Sequence, residues 1–147
     1  MNPDLKSDHR ALIDAACAVR ANSYSPYSKF RVGAALLGKD GTVHVGTNVE
    51  NASFGLSICA ERAAICRAVA DGVREFTAIA VCADGHDPTP PCGACRQVLV
   101  EFGLDMIVLL VGSEGAEGVV REFTVGALVP EAFTTFTDRL DDKGGSR

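Results

Sequence analysis

Residues 90–97 read PPCGACRQ and place two thiols three residues apart, directly behind a diproline. Such a pair can act as a redox dithiol, as half of a structural zinc site, or as part of a metal centre that performs chemistry. A third thiol, Cys59, lies upstream and is followed two residues later by an acid, in Cys59-Ala60-Glu61. Both stretches read as helix starts. A helix N-terminus carries roughly half a positive charge and unpaired N–H donors, so a thiol placed there ionises more readily. Three thiols on two such termini suit a cation, and Cys59, Cys92 and Cys95 become candidate metal ligands. Zinc held by three protein ligands keeps a fourth position for water or substrate, which marks a catalytic rather than a structural site. Three thiolates around one Zn2+ leave a net negative charge that works against the acidity of a bound water. The helix dipoles offset part of it, and Arg62 or Arg96, by hydrogen-bonding the sulfurs, would offset more.

Glu61 is the candidate catalytic residue. Along the body of a helix, residues two apart point away from each other, but off the tip of the first turn Cys59 and Glu61 can reach one point in space. Zinc brings the pKa of a bound water from ~15.7 down toward ~7, and a carboxylate in reach can take the proton and deliver it elsewhere. Read singly, Glu61 is a helix-favouring acid that complements the dipole; the two cysteine motifs tilt the reading toward catalysis. A thioredoxin-like couple competes, although that motif normally works without a third cysteine and an acid at another helix start. A closed Cys3His zinc site with His86 as fourth ligand is the stronger rival. Cys17 and Cys82 lie in apolar surroundings and read as small core residues. Cys66 is two turns beyond Cys59, about 10 Å along the helix axis, too far to share its metal. His9 and His44 read as ordinary exposed side chains.

The elements that would position these groups follow from periodicity and punctuation. Residues 5–22 carry Leu12, Ile13, Ala16 and Val19 at helical spacing, before the turn-rich SYSPYS. FRVGAALLG (30–38) reads as a buried strand, Gly41 as part of a hairpin turn, and TVHVGTNVE (42–50) as the return strand. Residues 59–72 form the clearest helix, closed by Gly72, and 92–103 form a second, ended by Gly103. EFTAIAVCA (75–83) and MIVLLVG (106–112) are strands, FTVGALVP (123–130) is either a short strand or a short helix, and 141–147 form a frayed tail. Two βα units behind a hairpin predict an α/β fold: a three-layer α/β/α sandwich around one mixed sheet of about five strands, within a single domain spanning 1–147.

The totals exclude several function classes. A formal net charge of -5 with no Lys/Arg cluster argues against nucleic acid and anionic membrane as partners. The N-terminus MNPDLKSDHR is no signal peptide, and no apolar run approaches the ~18 residues a membrane helix needs. A cytoplasmic, reducing location follows, in which six cysteines read as core residues, metal ligands or redox groups rather than disulfides.

CAE followed by PCGAC matches the zinc deaminase signature in its three-cysteine form. YSPYSKFRVGAAL, NVENASFGLSICAER and PCGACRQVL resemble the small homotetrameric cytidine deaminases, over about residues 24 to 112. Beyond that the likeness thins: LVPEAF resembles the family's segment ending in LPxxF, with Val129 where leucine is usual. The resemblance implies one Zn2+ per subunit and hydrolytic deamination of cytidine and deoxycytidine, a reaction of pyrimidine salvage. It also implies a homotetramer with shared active sites and no organic cofactor. A related alternative is a blasticidin-type deaminase acting on a cytosine nucleoside antibiotic. In NVEN, strand alternation puts Asn48 and Glu50 on one side, and a carboxylate beside a carboxamide suits a diol while repelling a phosphate; read alone, the two could equally well end the strand. The family's matching residues bind the ribose. The resemblance further sets Phe30 against the pyrimidine ring, a contact worth ~1–3 kcal/mol by analogy with base–aromatic stacking, although Phe30 alone could be core. It puts the Ala60 backbone at the polar edge of the base, and Phe133 in a neighbouring subunit's site, with Phe54 at the same junction.

Overall fold

The computed structural model describes residues 4–134. The chain runs α1 (Ser7–Arg20), β1 (Val32–Gly38), β2 (Val43–Thr47), α2 (Ala60–Ala70), β3 (Phe76–Ala83), α3 (Gly93–Phe102), β4 (Ile107–Val111), β5 (Val120–Thr124) and α4 (Val125–Leu128). The strands form one five-stranded sheet in the order β2-β1-β3-β4-β5. Only the β3–β4 pair, joined through α3, is parallel; β1 is antiparallel to both β2 and β3, and β4 is antiparallel to β5. This is the mixed α/β sheet that the sequence predicts.

Alternation along the central strands sorts the apolar residues into two cores. Ala34, Leu36, Ile79, Val81, Val108 and Leu110 face Ala60, Ala64 and Ala68 of α2 and Leu99 of α3. Ala35, Ala78, Ala80, Leu109 and Val111 face Leu12, Ile13 and Ala16 of α1. Each fully buried Leu or Ile stabilises the fold by roughly 1.5–3 kcal/mol, and helices on both faces give three layers.

Two glycines let the helices settle this close. A Cβ at Gly33 would stand 2.1 Å from the Ala16 carbonyl oxygen of α1, and one at Gly46 would stand 2.4 Å from the Ala64 nitrogen of α2. Neither contact is sterically possible, so α2 lies directly on β2 through a residue without a side chain.

Several boundaries differ from expectation. Phe30 precedes β1 instead of opening it, because Lys29 takes a left-handed φ of 59° and turns the chain before pairing begins. Segment 123–130 is both strand and helix: β5 ends at Thr124, whose Oγ1 accepts from the Ala127 N–H and caps α4. The two histidines read as exposed are buried. His9 continues the inward stripe of Leu12, Ile13 and Ala16 at helical spacing. His44 pairs across the strands with buried Leu36 and bonds Asp71 Oδ2 at 2.9 Å and Thr42 Oγ1 at 2.9 Å. The expected tail, 141–147, lies outside the described residues. Among the described residues, no helix is long and apolar enough to cross a membrane.

Candidate active site

Cys59 and Cys92 are the N-cap residues of α2 and α3, both in extended conformation, and neither cap is closed by a side-chain hydrogen bond. Cys95 lies in the first turn of α3 and is buried. Because α2 and α3 lie on the same face of the sheet, their N-termini bring the three sulfurs within 4.8 Å of one another. Cys59 Sγ and Cys92 Sγ are 3.8 Å apart. A tetrahedral ion with Zn–S bonds of about 2.3 Å has S···S edges of about 3.8 Å, so the separation fits zinc.

The electrostatics fit as well. Arg62 Nη2 donates to Cys59 Sγ at 3.5 Å, and its guanidinium pKa rises beside the sulfurs of Cys59 and Cys95. Arg62 Nε is buried without a partner among the described residues, as expected of a cation turned toward sulfur charge rather than toward carbonyls. The hydrogen bond from Cys95, supported by Arg62 and Cys92, brings the Cys59 thiol down to about 5, while the same bond and burial push Cys95 up. The trio thus favours a thiolate at Cys59 even before a metal is considered. Arg96, the other candidate for charge compensation, is spent elsewhere: Nε donates to the Pro91 carbonyl at 2.8 Å and Nη1 to the Leu128 carbonyl at 3.1 Å. His86 faces Glu114 at 3.2 Å, and the sulfur cluster includes no histidine among the described residues.

Glu61 shares this location and is 4% exposed. Burial raises its carboxyl above the usual range, and the nearby Cys59 raises it further. A carboxyl poised closer to neutrality can both take and return a proton.

A cleft of about 270 Å3 opens beside the cluster and is lined by Cys59, Ala60, Glu61 and Cys92 together with Phe30, Asn48 and Glu50. Asn48 Oδ1 accepts from the Val32 N–H at 3.0 Å and from Ser23 Oγ at 2.5 Å, and its Nδ2 donates to the Phe30 carbonyl at 2.8 Å. One amide proton is left for a ligand. Glu50 Oε1 accepts the N–H groups of Tyr27 and Ser28, and Oε2 accepts from Ser28 Oγ. These bonds, Ser28's first, hold its carboxyl below the ordinary range and keep it ionised.

Two sequence candidates stand apart from this cleft. Phe54 lines a neighbouring cavity with Tyr27, Ser28, Glu50 and Ser57, its ring edge-on to Tyr27 at 5.7 Å. Phe133 lines neither; its carbonyl accepts from Gln97 Nε2 at 2.9 Å beyond α4. Conversely, Ser28, Val32, Val81, Ala83, Thr89 and Pro90 line the cleft without having been singled out. Thr89 and Pro90 could have been found from their place just before the CxxC. Val81 and Ala83 carry no signal, since inward strand residues look alike whether they face a core or a cleft.

Residues 6–111 match the family described as the cytidine and deoxycytidylate deaminase zinc-binding region. The chain is 50% identical over 127 residues to a cytidine deaminase of Halalkalibacterium halodurans, covering 86% of this chain and 95% of that protein. It is 42% identical over 132 residues to a cytidine deaminase of Mycobacterium tuberculosis, covering 89% and 92%. The crystal structure of cytidine deaminase from Burkholderia pseudomallei superposes with a TM-score of 0.80 at 52% identity, over 85% of this chain and 98% of that one.

Proposed function

The chain belongs to the zinc-binding cytidine and deoxycytidylate deaminase family, and from that premise we propose that it hydrolyses cytidine and deoxycytidine to uridine and deoxyuridine with release of ammonia. The observation that carries this reading is a cluster of three sulfurs from two helix starts, within 4.8 Å of one another, set beside a cleft lined by Cys59, Cys92 and the buried Glu61. The names borne by relatives of about half-identical sequence do not favour the alternative of a nucleoside-antibiotic deaminase.

Cys59, Cys92 and Cys95 hold the zinc, and Arg62 offsets their charge. When bound, the ion supplies a Lewis acid that makes a water acidic near neutral pH. Glu61 takes a proton from water and gives it to N3 of the cytosine as the hydroxyl adds to C4; it then carries the proton of that C4 hydroxyl to the amine, so that the C4–N bond breaks, the C4 carbonyl forms and ammonia leaves. Phe30 packs on the ring and the Ala60 backbone meets the polar edge of the base. Asn48 and Glu50 hold the sugar, and the fixed negative charge of Glu50 favours a nucleoside over a nucleotide. We further infer that the chain works as one domain, in the cytoplasm, and as a homotetramer whose subunits lend Phe133 to neighbouring sites, with Phe54 at the same junction. The exposed apolar residues of the turn following β2, Phe54 and Leu56, support that assembly.

One assay tests the core of this: zinc content per subunit, measured together with loss of cytidine's ultraviolet absorbance. The expected result is one zinc per subunit and turnover that disappears on chelation. Turnover that survives complete removal of zinc would sink it.

A further inference from the structure

Ser28 stands at the junction of the cleft and the neighbouring cavity and lines both. A serine hydroxyl has one proton to give and two lone pairs to receive with. Here the proton goes to Glu50 Oε2 at 2.5 Å, and one lone pair accepts the Phe30 N–H at 3.0 Å. The backbone follows the same centre: the Tyr27 and Ser28 N–H groups donate to Glu50 Oε1 at 3.0 and 3.1 Å, and Lys29 adopts its left-handed φ to return Phe30 to the Ser28 hydroxyl. An exposed glutamate is ordinarily free to change rotamer. This one is tied by three hydrogen bonds from two residues of a single turn, Tyr27 and Ser28.

The remaining valences fix what this end of the cleft can bind. Glu50 uses three of its roughly four acceptor sites and keeps one. Ser28 has no proton left and keeps one lone pair. Asn48 keeps a single N–H, its oxygen being filled by Val32 and Ser23. Two acceptors and one donor complement a sugar hydroxyl that both gives and receives.

We propose that Ser28 is the positioning residue that sets this polarity: by giving its only proton to Glu50 it aims the carboxylate at the sugar and leaves that end accepting. The inference rests on the nucleoside reading above and adds a cause for its sugar selectivity. Replacement of Ser28 frees Glu50 and deprives Phe30 of its acceptor, so sugar discrimination weakens before the chemistry does.

The experiment crosses protein and ligand changes. KM and kcat are measured for cytidine and for 2′,3′-dideoxycytidine with the zinc-loaded wild type, Ser28→Ala and Ser28→Thr. Ser28→Ala is expected to raise KM for cytidine about tenfold, the loss of one hydrogen bond to a charged group. Its kcat stays near wild type, KM for the dideoxynucleoside rises several-fold less than that for cytidine, and Ser28→Thr restores cytidine binding. An equal rise in KM for both nucleosides would show general damage to the cleft and overturn the proposal, as would no rise for cytidine. If Ser28→Ala does not fold, Ser28→Cys, nearly isosteric but a weak donor, answers the same question. Failure of the wild type to deaminate cytidine would count instead against the functional reading, so the two failures are distinguishable.

Discussion

A carboxyl surrounded by protein and adjacent to three thiols differs from a surface glutamate in how readily it changes protonation. Glu61 is raised by its burial and by the charge on Cys59, which suits a group that must be base in one step and acid in the next. The metal ligands do not depend on it, because their sulfurs converge through the two helix starts and Arg62. Glu61→Gln keeps the shape and removes the exchangeable proton. Turnover of cytidine is expected to fall by about two to four orders of magnitude, the usual worth of a positioned acid–base group, while zinc per subunit stays unchanged. Normal turnover in this variant would remove Glu61 from the proton path. Loss of zinc together with activity would make it a structural partner of the cluster instead.

At the scale of elements, the site depends on how closely α2 approaches the sheet. A Cβ at Gly46 of β2 would stand under 3.0 Å from backbone atoms of Ala60, Ala63 and Ala64, so it must push the helix that carries Cys59 and Glu61. Gly46→Ala is expected to cost about 1–3 kcal/mol through overpacking, lowering the melting temperature by roughly 2–4 °C for each kcal/mol. It should also weaken zinc retention, whereas the same change at Gly41, which has open space but a φ of 86°, should affect stability without affecting zinc. Equal zinc retention in both variants would dissociate the helix contact from the site. This contact is the kind of feature the sequence leaves hidden. The helix ends and the hairpin were legible because each has its own punctuation, from Gly41 to Gly72 and Gly103, and the buried strands because they are short apolar runs between such marks. So were the cysteines, the acid and the Asn48–Glu50 pair, whose types and spacing carry chemistry. His44 was misread because a strand histidine on the inward face carries no mark of the Asp71 that receives it 27 residues later. Ser28 was overlooked because its role comes from a turn folding back on Glu50, a contact 22 residues distant in the chain.

The whole molecule leaves several large apolar side chains exposed. Phe54 is 73% exposed and Leu56 67% exposed on the turn following β2, Phe133 is 51% exposed beyond α4, and Tyr27 meets Phe54 edge-on beside the cavity next to the cleft. Large apolar side chains left exposed mark an interaction surface, and in the proposed homotetramer a neighbouring copy covers them. If Phe133 of one subunit completes another subunit's site, two defects on different chains can cancel. Glu61→Gln subunits keep Phe133 but lack the proton carrier; Phe133→Ala subunits keep Glu61 but lack the borrowed ring. In an assembly co-expressed from both, a site can combine an intact Glu61 with a neighbour's intact Phe133. The mixed assembly is therefore expected to turn over cytidine faster than the average of its two parent assemblies, with sedimentation showing all three at the same mass. Activity equal to the average, in an assembly shown to contain both chains, would confine each site to a single subunit and leave Phe133 as part of the packing beyond α4.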